Sequence, residues 1–62
     1  MQSKLINVLI VDDSRVACEL LTHIIEMDSQ LKVIGIAADG KEALHWLKSN
    51  TPDVITMDIQ MP

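Results

Sequence analysis

The sequence predicts an α/β fold in which three parallel strands alternate with two helices. Three short apolar runs, at 5–11, 31–37 and 54–57, predict strands. The first has no polar alternation and is typical of a strand that is covered on both faces, whereas Lys32 and Gly35 suggest a less buried edge position for the second. The two segments between them, 14–27 and 39–50, have apolar residues at helical spacing. Parallel strands with such short connections need right-handed crossovers. If the first strand lies between the other two, the predicted strand order is 2-1-3.

Both predicted helices begin with recognisable residues. Ser14, or Asp13 before it, is of a type that favours the first position of a helix. Asp39 and Glu42 have the spacing of a capping box, and Pro52 follows the end of the second helix. A wide apolar stripe on the first helix is expected to face the sheet. It consists of Val16, Ala17, Leu20, Leu21, Ile24 and Ile25.

Composition limits the possible partners and location. A chain of 62 residues forms at most one domain. Its net charge of −4 argues against nucleic acid or an anionic membrane as a direct partner. The single cysteine, Cys18, allows no internal disulfide and is expected to be a packing residue. No apolar run is long enough to span a bilayer, so a cytoplasmic location is expected.

Acidic residues follow two of the predicted strands. Asp12 and Asp13 follow the first strand, and Asp58 follows the third, so the order 2-1-3 places them at neighbouring strand ends. Two like charges about 4 Å apart repel by roughly 4 kcal/mol at an effective dielectric of 20. Mg²⁺ prefers oxygen ligands, and a carboxylate beside it can attack phosphorus. The cluster therefore predicts Mg²⁺-assisted phosphoryl chemistry on an aspartate, although acidic residues also occur at helix starts for structural reasons.

Three segments together resemble the receiver domain of two-component response regulators. They are 10–14 (IVDDS), 38–43 (ADGKEA) and 52–62 (PDVITMDIQMP). The resemblance extends from about Lys4 to the last residue. It implies a flavodoxin-like three-layer fold, here truncated, in which Asp58 accepts a phosphoryl group from a histidine kinase.

The same resemblance implies a Mg²⁺ site. Asp13 would bind the ion directly and Asp12 largely through water, with Asp58 and the main-chain carbonyl of Gln60 as further ligands. Within the family, residues 13–14, 33–35 and 55–59 are most similar to the receiver of chemotaxis methylesterases.

A complete receiver is longer and has further strands and helices. We therefore expect residues 1–62 to be a partial receiver (response regulatory) domain without its second half. The family's hydroxyl residue and lysine on later strands have no counterpart here, so switching is expected to be impaired. The strand at 54–57 would have an exposed apolar edge, through which we expect self-association.

Two other classes of function are considered. Haloacid-dehalogenase-like phosphatases also use an aspartyl phosphate, but they need Asp-x-Asp after the first strand, whereas Asp12 and Asp13 are adjacent. The other class is a non-catalytic βαβαβ fragment that folds or self-associates, which Mg²⁺ binding would distinguish. The segment is not expected to be an enzyme, although it could be part of a chemotaxis protein-glutamate methylesterase.

Overall fold

A computed structural model describes residues 4–57, which form three strands and two helices. In chain order the elements are β1 (Ile6–Val11), α1 (Arg15–Ile25), β2 (Leu31–Ala37), α2 (Gly40–Leu47) and β3 (Val54–Met57). The strands form one parallel sheet in the order β2-β1-β3. The predicted α/β fold and strand order are therefore confirmed. No helix in the described part of the chain is long and apolar enough to cross a membrane.

The central strand β1 carries the core on both of its faces. Val8 and Ile10 pack with Cys18 of α1, whereas Leu9 and Val11 pack with Ala43 of α2. One helix therefore covers each face of the sheet. This arrangement explains why β1 is a continuous apolar run without polar alternation.

Helix α1 buries a narrower face than the sequence predicts. Cys18 is buried, and the partly buried Leu21 and Ile25 pack beside it. Half of the predicted stripe is instead more than half exposed: Val16, Leu20 and Ile24. The prediction that these three residues face the sheet is wrong, because α1 lies over β1 and β2 and leaves its other flank uncovered.

The pairing of β1 with β2 contains one irregularity. The register shifts after Val8, which leaves Ile34 as an extra residue in β2, and Leu9 then pairs with Gly35. The shift places Gly35 on the α2 side of the sheet, where the ring of Trp46 lies. A Cβ atom on Gly35 would come within 2.6 Å of ring atoms of Trp46. The absence of a side chain at this position therefore allows the indole ring to pack over β2.

We predict that Gly35→Ala lowers the free energy of unfolding by about 1–3 kcal/mol, because the new methyl group forces the ring of Trp46 to shift. Glycines in residues 4–57 have no positive φ, so the effect reports the contact and not backbone strain. Urea denaturation followed by far-ultraviolet circular dichroism measures it. Gly40→Ala is the matched control, since a Cβ there has no neighbour within 4 Å. Equal stability of the two variants would contradict this role of Gly35.

Candidate functional site

Asp12 continues β1 at the carboxyl end of the sheet. Its main-chain N–H donates to the carbonyl oxygen of Ala37 at 3.0 Å, which extends the pairing with β2. The side chain is only 9% exposed, and its Oδ1 atom accepts a hydrogen bond from the N–H of Ser14 at 2.9 Å. Backbone and side chain therefore both hold this carboxylate in place.

Ser14, and not Asp13, caps α1. The hydroxyl oxygen of Ser14 accepts a hydrogen bond from the N–H of Ala17 at 3.2 Å. The carboxylate of Asp13 is not needed as a cap, and the residue is exposed. Asp12 is therefore buried and hydrogen-bonded, whereas Asp13 is exposed and available to a ligand.

The start of α2 lies next to the end of β2. Asp39 caps the helix by accepting a hydrogen bond from the N–H of Glu42 at 2.8 Å. Glu42 Oε1 accepts from the N–H of Ala38 at 3.0 Å, one residue earlier than in a standard capping box. The predicted capping residues are confirmed, and together they fix the loop between β2 and α2.

An open cleft of about 640 Å³ lies between the starts of the two helices and the end of β2. Its polar lining is mostly acidic and contains one guanidinium group. The charged residues that line it are Asp12, Asp13, Arg15, Glu19 and Glu42. Four carboxylates against one cation give the cleft a negative potential, which attracts cations.

The third strand runs towards the same end of the sheet. Met57, its last residue, pairs with Val11, which directly precedes Asp12. The predicted site residues Asp58 and Gln60 lie outside the described residues. The structure therefore brings Asp12 and Asp13 together at the end of β1, and the roles predicted for all four residues remain predictions.

The donor atoms of Asp12 and Asp13 suit a hard cation. Within residues 4–57, no group of three or more histidine, cysteine, aspartate or glutamate side chains could hold a metal ion. Mg²⁺, however, usually keeps several water molecules and uses only one or two carboxylates of the protein. The pair therefore fits Mg²⁺ chemistry, with Asp13 as the accessible carboxylate.

Cys18, on α1, contacts the main chain of Asp12 from the core side of the site. The residue is buried, as predicted for a packing residue, and its thiol donates to the main-chain carbonyl oxygen of Asp12 at 3.4 Å. Burial raises the pKa of the Cys18 thiol, and the charges of Asp12 and Asp13 raise it further. The sequence did not predict this contact, because nothing in the helical pattern links Cys18 to the turn before α1.

We predict that the free energy of unfolding falls at alkaline pH because of Cys18. The folded chain keeps the thiol protonated, whereas the unfolded chain loses the proton near pH 8.5. The stabilisation is fully present below about pH 8.5 and is lost as pH rises through the higher pKa of the folded state. Urea denaturation of the wild type and Cys18→Ala, without added Mg²⁺, measures the effect. The difference between them should shrink with rising pH, and a constant difference would contradict the prediction.

Thr56 on β3 has a buried hydroxyl group that finds no partner among residues 4–57. Within the described part of the chain, its Oγ1 atom is buried and makes no hydrogen bond. A buried polar group left in this way costs about 1–3 kcal/mol. By contrast, Thr22 Oγ1 donates to the carbonyl oxygen of Cys18 at 2.7 Å.

We predict that Thr56→Val raises the free energy of unfolding by about 1 kcal/mol, because the isosteric methyl group needs no hydrogen bond. Thr22→Val is the matched control and should lower that free energy by about 1 kcal/mol, since it removes a hydrogen bond. Thermal and urea denaturation of both variants provide the measurement. A larger loss for Thr56→Val than for Thr22→Val would show that the hydroxyl group of Thr56 has a partner.

Comparisons with known proteins agree with the geometry. The family model described as "Response regulator receiver domain" matches residues 8–62. A protein-glutamate methylesterase/protein-glutamine glutaminase from Nitrosospira multiformis is 52% identical over 58 residues, which cover 94% of this chain and 16% of that protein. Protein-glutamate methylesterase/protein-glutamine glutaminase 2 from Vibrio vulnificus is 52% identical over 62 residues, which cover 100% of this chain and 18% of that protein. Protein-glutamate methylesterase/protein-glutamine glutaminase 3 from Hahella chejuensis is 57% identical over 56 residues, which cover 90% of this chain and 16% of that protein.

The chain spans about a sixth of the length of these curated relatives. No solved structure matches it. The predicted resemblance to the receivers of methylesterases is confirmed by these relatives. Because the family model covers most of the sequence, the chain belongs to the response regulator receiver domain family.

Proposed function

We propose that this chain is the phosphoacceptor module of a two-component phosphorelay, in which Asp58 takes a phosphoryl group from a histidine kinase. Receiver domains generally are phosphorylated by such kinases and bind Mg²⁺ at the phosphorylation site, and the receiver itself is not an enzyme. The observation that carries the proposal is the position of Asp12 and Asp13 at the end of β1, beside the strand that leads to Asp58.

The proposed metal ligands include one carboxylate that is held by a hydrogen bond, Asp12, and one that is exposed, Asp13. Asp13, which is exposed, would bind Mg²⁺ directly, whereas Asp12, which accepts a hydrogen bond from Ser14, would act largely through water. Asp58 and the main-chain carbonyl of Gln60 complete the proposed set. When bound, Mg²⁺ supplies positive charge that neutralises the oxygens of the phosphoryl group.

The proposed transfer needs little from the protein beyond position. A carboxylate oxygen of Asp58 attacks phosphorus, the bond between phosphorus and the kinase imidazole nitrogen breaks, and the electron pair stays on that nitrogen, which takes up a proton. Asp12 contributes a carboxylate that is held by hydrogen bonds at the end of β1, and Asp12 and Asp13 both contribute negative charge that attracts cations. Neither residue forms a covalent bond in this scheme.

The curated relatives suggest the larger protein in which such a module works. Their names describe methylesterases and glutaminases, so we propose that this chain is a partial receiver domain of a chemotaxis methylesterase in the cytoplasm. Impaired switching of residues 1–62 alone belongs to the same proposal. Self-association is a separate proposal, because it depends on the edge of β3 and not on the acidic residues.

We predict that the 62-residue chain, given an acyl phosphate or phosphoramidate donor and Mg²⁺, gains the mass of one phosphoryl group. Asp58→Asn should abolish the gain, because the amide is not a nucleophile. Asp13→Asn should slow it by at least about tenfold, since it removes the accessible metal ligand. Intact-protein mass spectrometry over time is the measurement.

Asp28→Asn is the matched control, since Asp28 lies in the connection after α1 and its Oδ1 atom accepts a hydrogen bond that asparagine can also accept. This variant should react like the wild type. A phosphoryl group on Asp58→Asn would refute the assignment of the acceptor. Amide NMR during Mg²⁺ titration separates the alternatives, because a folded chain without any Mg²⁺ response would favour the non-catalytic βαβαβ fragment.

A further inference from the structure

Glu42, in the first turn of α2, reaches back to the turn that lies beside Asp12. Its Oε1 atom accepts a hydrogen bond from the N–H of Ala38 at 3.0 Å. A standard capping box would instead use the N–H of the cap residue, which here is Asp39. The carboxylate of Glu42 is therefore placed on the peptide unit that joins Ala37 to Ala38.

The pairing of Asp12 with β2 uses this same peptide unit. Its N–H, from Ala38, donates to Glu42 at 3.0 Å. Its carbonyl oxygen, from Ala37, accepts a hydrogen bond from the N–H of Asp12, also at 3.0 Å. No peptide bond within residues 4–57 is cis, so the two groups point in opposite directions. Glu42 and Asp12 therefore hold one planar group from its two sides.

The negative charge of Glu42 strengthens this connection. Hydrogen bonds to a carboxylate are roughly twice as strong as those between neutral groups, and hydrogen bonds in series polarise one another. A carboxylate at the N–H of Ala38 makes the carbonyl oxygen of Ala37 a better acceptor for Asp12. Loss of the contact with Glu42 would free the peptide unit to rotate and would weaken its bond to Asp12.

The other polar contacts of Asp12 come from the start of α1. Its Oδ1 atom accepts from the N–H of Ser14, and its carbonyl oxygen accepts from the thiol of Cys18. Its side chain lines the same cleft as that of Glu42, although it is only 9% exposed. Asp12 is thus held from α1 and from β2, and Glu42 of α2 supports the contact with β2.

We propose that Glu42 is a positioning residue for the acidic site, acting on Asp12 through the peptide unit between Ala37 and Ala38. This inference rests on the proposed function, because it takes Asp12 and Asp13 to bind Mg²⁺. Glu42 itself does not touch the ion in this scheme. A carboxylate that only made the cleft more negative would act through its charge, whereas a positioning residue acts through its length and its acceptor oxygen.

Mg²⁺ titration of the 62-residue chain, followed by amide NMR, separates these two roles. Glu42→Asp keeps the charge but is shorter by one methylene group, so it should lose the contact with Ala38 and weaken Mg²⁺ binding by about tenfold. Glu42→Gln keeps the length and an acceptor oxygen. Glu19→Gln is its matched control, because Glu19 lines the same cleft and the change removes the same charge. These two glutamine variants should bind Mg²⁺ equally well.

Amide hydrogen exchange is a second measurement, and it needs no metal ion. In Glu42→Asp, the amide of Asp12 should exchange faster than in the wild type, while the amides within β1 exchange as before. Equal acceleration throughout β1 would report a general loss of stability and would overturn the proposal.

Two results of the Mg²⁺ titration would also overturn the positioning role while leaving the metal site intact. One is binding by Glu42→Asp that is as tight as in the wild type, and the other is binding by Glu42→Gln that is as weak as in Glu42→Asp. A folded wild type that binds no Mg²⁺ would instead overturn the proposed metal site, and the positioning role with it.

Discussion

The pairing of β1 on both of its edges is the constraint on which the rest of this structure depends. Leu9 and Ile10 have no exposed surface and Val11 has 1%, so the strand is enclosed by β2, β3 and the two helices. Burial of each such side chain is worth about 1.5–3 kcal/mol. Because β1 cannot move without losing its pairing with both neighbouring strands, Asp12 and Asp13 at its end are also held in place.

The two acidic residues show how a single turn produces different environments. Asp12 extends the sheet and accepts the N–H of Ser14, whereas Asp13 projects into solvent beside the start of α1. The N-terminal end of a helix favours negative charge, so the turn can hold both carboxylates close together. A ligand would displace water from Asp13 more easily than it would disturb the bonds of Asp12.

Local patterns in the sequence predicted most of the fold. The bounds of β2 and β3, the strand order and the capping role of Asp39 could all be predicted, because apolar runs and capping residues act over a few positions. For α1 the sequence left Ser14 and Asp13 as alternatives, and the structure shows that Ser14 is the cap. The extra residue Ile34 could not, since the register between strands depends on packing across the sheet. Nor could the contact of Gly35 with Trp46, which joins residues of different elements.

Part of the candidate site could also be predicted from the sequence. The position of Asp12 and Asp13 at the end of β1 follows from the apolar run before them. The hydrogen bond from Cys18 to Asp12 spans the turn, and no periodic pattern encodes it. The same holds for the exposed flank of α1, because a helical stripe shows which residues are apolar but not how much of the sheet lies beneath them.

The two outer strands of the described sheet, β2 and β3, differ in how they are held in place. The β2 side is closed by Glu26 and by Trp46 over Gly35, whereas within residues 4–57 the strand to which β3 pairs is β1. The four residues of β3 lead directly into Asp58 in the sequence. Through its pairing with β1, this short strand connects the proposed acceptor to the strand that precedes Asp12 and Asp13.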